Sequence, residues 1–230
     1  MIGIIVAMEK EMQALAIENA CTETVGGIRF VRGTVAGHQV AAAVCGVGKV
    51  FAAMCAQTMA LYMKPDFIIN CGVAGGLHPA LGVFDIAIGT GAVQYDMDTT
   101  PLGDPLGLIS GLNLVELPCD PGLSATLSEA AKEIGLSART GLLATGDRFC
   151  ASKADKEYIT GHFPAIACEM EGGAVAQVCA ANKIPCCLFR AISDTADGQA
   201  SVSYETFAEK AAQNAGRLMT AFLKKMEKGM

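Results

Sequence analysis

The sequence predicts an α/β protein in which a central mixed, largely parallel sheet carries helices on both faces, so that the fold has three layers. Short apolar runs rich in β-branched residues alternate with longer segments of helical period along all 230 residues. The chain also has 26 glycines and only 6% aromatic residues, a composition typical of helices packed closely on a sheet. In such folds, functional residues gather at the carboxyl ends of the strands.

The first half of the chain begins with Ile2–Ala7, an apolar run as expected of a strand buried on both faces. Acidic residues then begin a helical segment, which is predicted over Glu9–Asn19. Ile28–Val35 and Gln39–Cys45 are predicted to form a hairpin that turns near Gly37. The remaining elements of this half are a helix at Val50–Met63 and buried strands at Phe67–Cys71 and Ile86–Val93.

The second half continues the same alternation of strands and helices. Its elements are helices at Leu123–Ile134, Ala154–His162, about Glu171–Asn182 and Tyr204–Met226, and strands at Ala138–Ala144, Ile166–Cys168 and Cys186–Ile192. The segment Thr99–Pro121 is rich in Gly, Pro and Asp, and it is predicted to be a surface loop or lid. No linker or repeat interrupts the chain, so we expect residues 1–230 to form one domain.

Charge and composition argue against several classes of protein. The net charge of −6 and the pI of about 5.1 disfavour nucleic acid as the main partner. No apolar stretch reaches the length of a transmembrane helix, so no membrane partner is expected. The three histidines are scattered, which disfavours a metal site built on them. Most of the ten cysteines lie in apolar segments without a C-x-x-C pair, which predicts free thiols in a reducing cytoplasm.

Distinctive motifs follow the predicted strands. They are AMEKE after the first strand, GVAGG (72–76), TGDRF (145–149), EMEGG (169–173) and Ser193-Asp194. If these strand ends converge, they form a cleft with several carboxylates, one arginine and a glycine-lined wall. The apolar side chains in this cleft would be Met8, Phe149 and Met170.

Each motif also has a structural interpretation. Acids such as Glu9 and Glu11 are favoured in the first turn of a helix, and GVAGG could be a tight turn. The two glycines of EMEGG are poor helix formers, which favours a close approach of another group to the backbone there. Arg190 lies within an apolar strand, where an unpaired charge is costly. It therefore belongs either to a functional site or to a buried ion pair.

Other motifs are incomplete. CGVGKV (45–50) is similar to a phosphate-binding loop, but Ala43 and Val50 stand where Gly and Ser or Thr belong. GTGAVQ (89–94) lacks the third glycine of a dinucleotide fingerprint, and the chain has no G-x-S-x-G elbow. Phosphate-loop, dinucleotide and serine-hydrolase chemistry are therefore not supported.

Taken together, IGIIVAMEKE, INCGVAGG, ATGDRF, EMEGGAVAQVC and RAISDTAD resemble the motifs of the bacterial 5′-methylthioadenosine/S-adenosylhomocysteine nucleosidases, in the nucleoside phosphorylase/hydrolase superfamily. The resemblance covers nearly the whole chain, in order and with compatible spacing. It implies a phosphorylase/hydrolase-like fold and hydrolysis of the bond between adenine and ribose, through an oxocarbenium-like transition state. It also implies an adenine nucleoside substrate, no metal or organic cofactor, and a homodimer with Thr99–Pro121 close to the neighbour's pocket.

The resemblance assigns roles to individual residues. Asp194 would protonate or hydrogen-bond the five-membered ring of adenine, and Glu11 would orient and deprotonate the attacking water. Arg190 would lie near water and sugar, where its charge balances the acids. The implied substrate-binding residues are Met8, Met170 and Glu171 at the ribose, Phe149 and Cys150 at adenine, Ser193 beside Asp194, Tyr204 near the 5′ substituent, and Gly75 and Glu169 in the same cleft.

Two features favour water over phosphate as the nucleophile. Asn70 stands where related phosphorylases carry an arginine, and Glu9 and Glu11 would repel phosphate. Val73 is a departure, because many members of the family carry Ser at that position. The alternatives that stay open are a futalosine hydrolase, a purine nucleoside phosphorylase, and a non-catalytic adenine-nucleoside-binding protein. The preference among methylthioadenosine, S-adenosylhomocysteine and 5′-deoxyadenosine also stays open.

Overall fold

The computed structural model describes residues 1–196 and 200–228. Asp197, the last residue of the RAISDTAD motif, lies outside them. The strands within the described ranges are β1 Ile2–Val6, β2 Glu18–Val25, β3 Ile28–Val35, β4 His38–Val44, β5 Phe67–Gly76, β6 Ile86–Gln94, β7 Leu117–Pro118, β8 Ala138–Thr145, β9 Ala165–Glu169 and β10 Cys186–Asp194. The helices are α1 Glu9–Gln13, α2 Lys49–Tyr62, α3 Pro121–Glu133, α4 Lys153–His162, α5 Gly172–Asn182 and α6 Ala200–Lys228, with a 3₁₀ turn at Thr100–Leu102.

All of these strands belong to one mixed sheet. β1 pairs in parallel with β4 and β5, and β10 pairs in parallel with β5. Beyond β10 the sheet continues through an antiparallel pairing to β6 and then through parallel pairings to β8 and β9. β9 returns to β5 in antiparallel orientation, so this part of the sheet closes on itself. The carboxyl ends of β1, β5, β8, β9 and β10 therefore lie near one another.

Helices cover both faces of the sheet, which confirms the predicted three layers. One apolar cluster joins the sheet to α2 and α5 through residues such as Met59 and Val175. A second cluster joins the opposite face to α3 and α6 through residues such as Leu127 and Phe222. No helix in the described part of the chain is both long enough and apolar enough to span a membrane.

The predicted helix Glu9–Asn19 is wrong in its second half, because α1 ends at Gln13 and β2 begins at Glu18. Ala16 and Asn19 have φ angles of 47° and 52°, in the left-handed region, which turns the chain out of the helix. Among the described strands, β2 lies at the edge of the sheet and pairs only with β3. Most of its side chains are exposed, so the strand lacks the apolar alternation that would reveal it.

The hairpin prediction is confirmed, with β3 and β4 joined by two residues at positive φ, Ala36 and Gly37. The segment Thr99–Pro121 is largely irregular, apart from its 3₁₀ turn and the two-residue strand β7. The GVAGG motif is not a tight turn, because β5 continues through it to Gly76 and pairs with β10 and β9.

Candidate active site

A cavity of about 360 Å³ opens at the carboxyl ends of β1, β5, β9 and β10, beside the loop that follows β8. Every substrate-binding residue predicted from the sequence lines it, and so do Glu11 and Asp194. The lining residues are Ala7, Met8, Glu11, Val47, Val73, Ala74, Gly75, Arg148, Phe149, Cys150, Cys168, Glu169, Met170, Glu171, Ser193, Asp194 and Tyr204. Arg190 is not among them.

The Glu11 carboxylate is held at one side of the cavity by the backbone. It accepts hydrogen bonds from the N–H groups of Ala7 and Met8, at 2.9 and 3.0 Å, and from that of Val73 at 3.1 Å. Burial raises the pKa of Glu11, while Arg190 and these backbone donors act in the opposite direction. A carboxyl fixed in this way, with a raised pKa, is suited to take a proton from water.

Asp194 lies at the end of β10 and is buried. Ser193 Oγ donates to its Oδ2 at 2.9 Å, and the N–H of Ala196 donates to its Oδ1 at 2.9 Å. Lys156, from α4, donates to the carbonyls of Gly76 and Thr195 and so ties the chain after Asp194 to the end of β5. These contacts fix the direction in which the carboxyl group faces the cavity.

The glycines of β5 let these two acids approach the sheet. A Cβ at Gly72 would lie 2.6 Å from Glu11 Oε1, and a Cβ at Gly75 would lie 2.9 Å from Asp194 Oδ1. Both separations are shorter than ordinary contacts, so a side chain at either position would displace an acid. The glycine-lined wall therefore positions Glu11 and Asp194 in the same cavity.

Arg190 lies behind the cavity, where it forms a buried ion pair with Glu169. Its guanidinium also donates to the backbone carbonyls of Asn70 and Phe189, both at 3.0 Å, and to the side chain of Asn70. Of the two interpretations left open by the sequence, the ion pair is the one that these contacts show. Burial acts to lower the pKa of Arg190, but the nearby charges of Glu169, Glu171 and Glu11 outweigh it, so the pKa of Arg190 is raised.

Glu169 connects this ion pair to the beginning of α5. It accepts from the N–H groups of Glu171 and Gly172, at 2.9 and 2.6 Å, and from the hydroxyl of Thr145. The N–H of Gly173 in turn donates to Thr145 Oγ1 at 2.7 Å. The two glycines of EMEGG are thus approached by side chains of the protein itself, which explains why the helix begins on poor helix formers.

Glu171 is the fourth acid of the cavity, after Glu11, Asp194 and Glu169, and it precedes α5. The N–H of Gly48 donates to its Oε1 at 2.9 Å. Burial, and then the nearby charge of Glu169, raise the pKa of Glu171 from its usual 4.5 to about 7, although Arg190 opposes the shift. Gly48 belongs to the CGVGKV segment, which therefore orients an acid.

The rest of the cavity is lined by apolar and aromatic groups. Phe149 and Tyr204 contact each other edge to face, with ring centroids 5.6 Å apart. The Tyr204 hydroxyl lies 3.1 Å from the sulfur of Met8 and accepts a hydrogen bond from Lys10 Nζ at 3.1 Å. Phe149 is 42% exposed, so its ring is available to stack on a planar ligand.

Sequence reasoning missed several lining residues, among them Ala7, Val47, Arg148 and Cys168. Ala7 and Cys168 lie at the carboxyl ends of β1 and β9, so the same strand-end rule would have found them. Val47 lies in the loop after β4. Its segment, CGVGKV, does not match a phosphate-binding loop, so no motif indicated a role for it. Arg148 belongs to TGDRF but is largely exposed and pairs with Asp155.

Known proteins resemble this chain over nearly its whole length. A sequence model of the Phosphorylase superfamily matches residues 1–224. The chain is 38% identical to a 5′-methylthioadenosine/S-adenosylhomocysteine nucleosidase of Geobacillus kaustophilus, over 98% of this chain and 97% of the relative. It is 33% identical to a solved nucleosidase of the same name from Neisseria meningitidis in complex with methylthio-immucillin-A, with a TM-score of 0.94 and coverage of 97% and 98%.

A second similar protein of known structure is named for a different activity. It is the futalosine hydrolase of Helicobacter pylori, which is 33% identical to this chain with a TM-score of 0.90. The similarity covers 100% of this chain and 97% of that one. Both kinds of relative thus share the full length and the fold of this chain.

Proposed function

The chain belongs to the phosphorylase superfamily, and from this premise we propose that it is a nucleosidase that hydrolyses the N-glycosidic bond of 5′-methylthioadenosine, S-adenosylhomocysteine or both. The products would be adenine and the 5′-substituted ribose. The observation that carries the proposal is the placement of Glu11 and Asp194 in one cavity beside a glycine-lined wall. A protein that only binds nucleosides would not need a buried base as well as an acid.

Glu11 is the proposed base for the attacking water. Its carboxylate lines the cavity and is oriented by three backbone donors. Its raised pKa makes it a better proton acceptor than an exposed glutamate. The Val73 backbone is one of the donors, so this orientation does not depend on a hydroxyl at position 73.

Asp194 is the proposed acid for the leaving base. Adenine would stack on Phe149, with the backbone of Cys150 at its edge, and its five-membered ring would meet the Asp194 carboxyl. Protonation or a hydrogen bond there lets adenine leave as a neutral molecule. Ser193 keeps the carboxyl group in position through its hydroxyl.

The ribose would lie between the acids and the methionines. Glu171 would accept hydrogen bonds from the sugar hydroxyls, while Met8 and Met170 would pack against the ring. The 5′ substituent would extend toward Tyr204. Lys10, beside the Tyr204 hydroxyl, places a cation at this end of the cavity. This favours testing 5′ substituents that carry a carboxylate together with neutral ones.

We expect the reaction to proceed at the same rate with and without phosphate and to release free adenine and free sugar. Asn70 is buried, donates to the carbonyl of Ile5 at 2.9 Å and accepts from Arg190, so it offers nothing to a phosphate ion. Chromatography after incubation with methylthioadenosine, S-adenosylhomocysteine, 5′-deoxyadenosine or futalosine measures both products. A requirement for phosphate, with a sugar-1-phosphate product, would show a phosphorylase. Cleavage of futalosine in preference to the adenosine derivatives would show the sister hydrolase.

Glu171→Gln should lower kcat/KM for methylthioadenosine by about 10- to 100-fold, because a neutral amide replaces a charged acceptor for the ribose hydroxyls. For the parent protein, kcat/KM should fall as the pH drops below about 7, since Glu171 then takes up a proton. This acid limb should weaken in the variant. The nucleoside that lacks the 2′-hydroxyl should have a low kcat/KM with the parent protein. The substitution should lower its kcat/KM little further. An unchanged preference for the hydroxyl would contradict the role.

The same substitution should stabilise the fold at high pH. A carboxyl whose pKa is raised by folding favours the folded state below pH 4.5, and this contribution is lost as the pH rises toward about 7. Glu171→Gln should therefore unfold at a higher denaturant concentration than the parent at pH 8. The difference should shrink toward pH 4.5, which denaturant unfolding at the two pH values measures.

We also propose a homodimer whose interface includes α2. Several large apolar side chains on or just before this helix are half or more exposed: Val47, Val50, Phe51, Met54, Leu61 and Tyr62. Burying them is favourable, and Val47 also lines the cavity, so a second copy placed there would lie next to the substrate. Light scattering at micromolar concentration should give twice the chain mass of 23.7 kDa.

Phe51→Glu tests the dimer interface, because it places a charge in the middle of the exposed apolar surface of α2. This variant should be monomeric and less active. Tyr158→Glu is the matched control, since Tyr158 is 44% exposed but lies on α4, and it should stay dimeric. A parent protein that is monomeric and fully active would overturn the proposal.

A further inference from the structure

Two neighbouring cysteine thiols line the cavity. Cys168 lies in β9, paired with Ala144 of β8, and Cys150 lies in the loop by which the chain leaves β8. The two thiols lie close enough for each to shift the pKa of the other. Cys168 Sγ also lies 3.6 Å from the carbonyl of Gly75, and Cys150 Sγ lies 3.7 Å from the Tyr95 hydroxyl.

These two thiols differ from the other cysteines in their access to the cavity. All ten cysteines are free thiols and lie within the described residues, but only Cys150 and Cys168 line the cavity. Cys186 also lies near Cys119 and Cys179, but these three belong to the apolar core between the sheet and its helices. A small reagent that enters the cavity would therefore meet Cys150 and Cys168 first.

The two thiols are unequal. The neighbouring Cys168 thiol lowers the pKa of Cys150, against the effect of burial, whereas Cys150 and burial raise the pKa of Cys168. The Tyr95 hydroxyl also lowers the pKa of Cys150. Because the thiolate is the reactive form of cysteine, Cys150 is the nucleophile of the pair and Cys168 stands ready as its partner.

We propose that Cys150 and Cys168 form an oxidisable thiol pair in the nucleoside cavity, which a hydroperoxide converts to a disulfide and a dithiol converts back. The Cys150 thiol gives up its proton and the thiolate attacks one peroxide oxygen. The O–O bond breaks and the released proton joins the leaving oxygen, which gives a sulfenic acid and one water or alcohol. Cys168 then attacks the sulfenic sulfur, the S–S bond forms, and the hydroxyl group leaves with the Cys168 proton as water. The peroxide is reduced by two electrons and the two thiols are oxidised by two.

The disulfide would change the part of the cavity that we assign to adenine. The two sulfurs must approach to about 2.05 Å, the length of an S–S bond. Cys168 is held in the sheet, so the loop carrying Cys150 has to move. That loop also carries Phe149. Since a displacement of about 1 Å in a site can cost about 100-fold in rate, we expect oxidation to lower kcat/KM by at least about 10-fold.

Peptide mapping tests the disulfide without reference to activity. The protein is treated with hydrogen peroxide, free thiols are blocked with iodoacetamide, and the digest is analysed by mass spectrometry. A Cys150–Cys168 linked peptide that disappears after dithiothreitol is the expected result. Added adenine should slow its formation, because the base would cover the pair. If both thiols are still alkylated after peroxide has oxidised the exposed Cys21, or if Cys150 is overoxidised without the link, the proposal is wrong.

Activity tests the consequence, and this part rests on the proposed function. Each variant is compared with its own untreated rate. The parent and Cys21→Ser should lose activity in peroxide and regain it in dithiothreitol, whereas Cys150→Ser and Cys168→Ser should show no reversible loss. The same reversible loss in all four proteins would overturn the proposal. A parent protein without nucleosidase activity would contradict the proposed function, while the peptide map would still decide on the disulfide.

Discussion

Replacing Asp194 with asparagine should slow the chemical step by roughly 10²- to 10⁴-fold, the range typical of general acid catalysis. Asparagine keeps the size of the side chain, and its carbonyl oxygen still accepts from the Ala196 N–H, as Asp194 Oδ1 does. Its amide can donate to Ser193 Oγ in place of the bond that Oδ2 now accepts. The variant should therefore fold normally, yet it has no proton to give to adenine. Single-turnover kinetics on methylthioadenosine measure the effect.

Two controls separate acid catalysis from binding. An unreactive nucleoside analogue should bind the Asp194→Asn variant nearly as well as the parent, because stacking and ribose contacts remain, and calorimetry measures this. A nucleoside whose base leaves easily without protonation should lose much less rate than methylthioadenosine. A variant that turns over methylthioadenosine at nearly the parent rate would remove Asp194 from its role. Equal losses on both substrates would assign Asp194 to positioning instead.

Most of the fold could be predicted because the inner strands are buried on both faces. Runs such as Ile2–Val6 and Cys186–Asp194 are buried along their whole length, and this leaves a continuous apolar signal in the sequence. β2 leaves no such signal, because it is held by its pairing with β3 while most of its side chains face solvent. Local pattern therefore identifies the core of the sheet and misses its edge.

The site could be located from the sequence, but its internal contacts could not. The strand-end rule brought Glu11, Asp194 and Glu171 to one region because parallel strands end on the same side of the sheet. The glycines of β5 looked like a turn, since the acids that occupy the space of their missing side chains come from α1 and β10. The partner of Arg190 was equally hidden, because Glu169 lies 21 residues away in the sequence.

Replacing Arg190 with methionine should lower the free energy of unfolding by about 3–5 kcal/mol, the cost of leaving one charge of a buried pair without its partner. Glu169 would then stay buried with only neutral donors, the Thr145 hydroxyl and two backbone N–H groups. Denaturant unfolding at pH 8 measures the loss. The Arg190→Met/Glu169→Gln double variant should recover a large part of the stability, because neither charge remains. If the double variant is as unstable as Arg190→Met, the ion pair does not explain why the strand carries an arginine.

Activity distinguishes this positioning role from a purely structural one. Arg190 lowers the pKa values of both Glu11 and Glu171 by its charge. In Arg190→Met, the pH at which kcat/KM begins to fall on the acid side should therefore move upward. Arg190→Lys keeps the charge, so it should leave that pH nearly unchanged even though it loses some of the hydrogen bonds. If the methionine variant fails to fold, the lysine variant still tests the effect of the charge. In the double variant the charge of Glu169, which raises the pKa of Glu171, is also gone. In the double variant, the pH at which kcat/KM begins to fall on the acid side should return toward the parent value. If this pH is the same in all three variants as in the parent, Arg190 has a structural role alone.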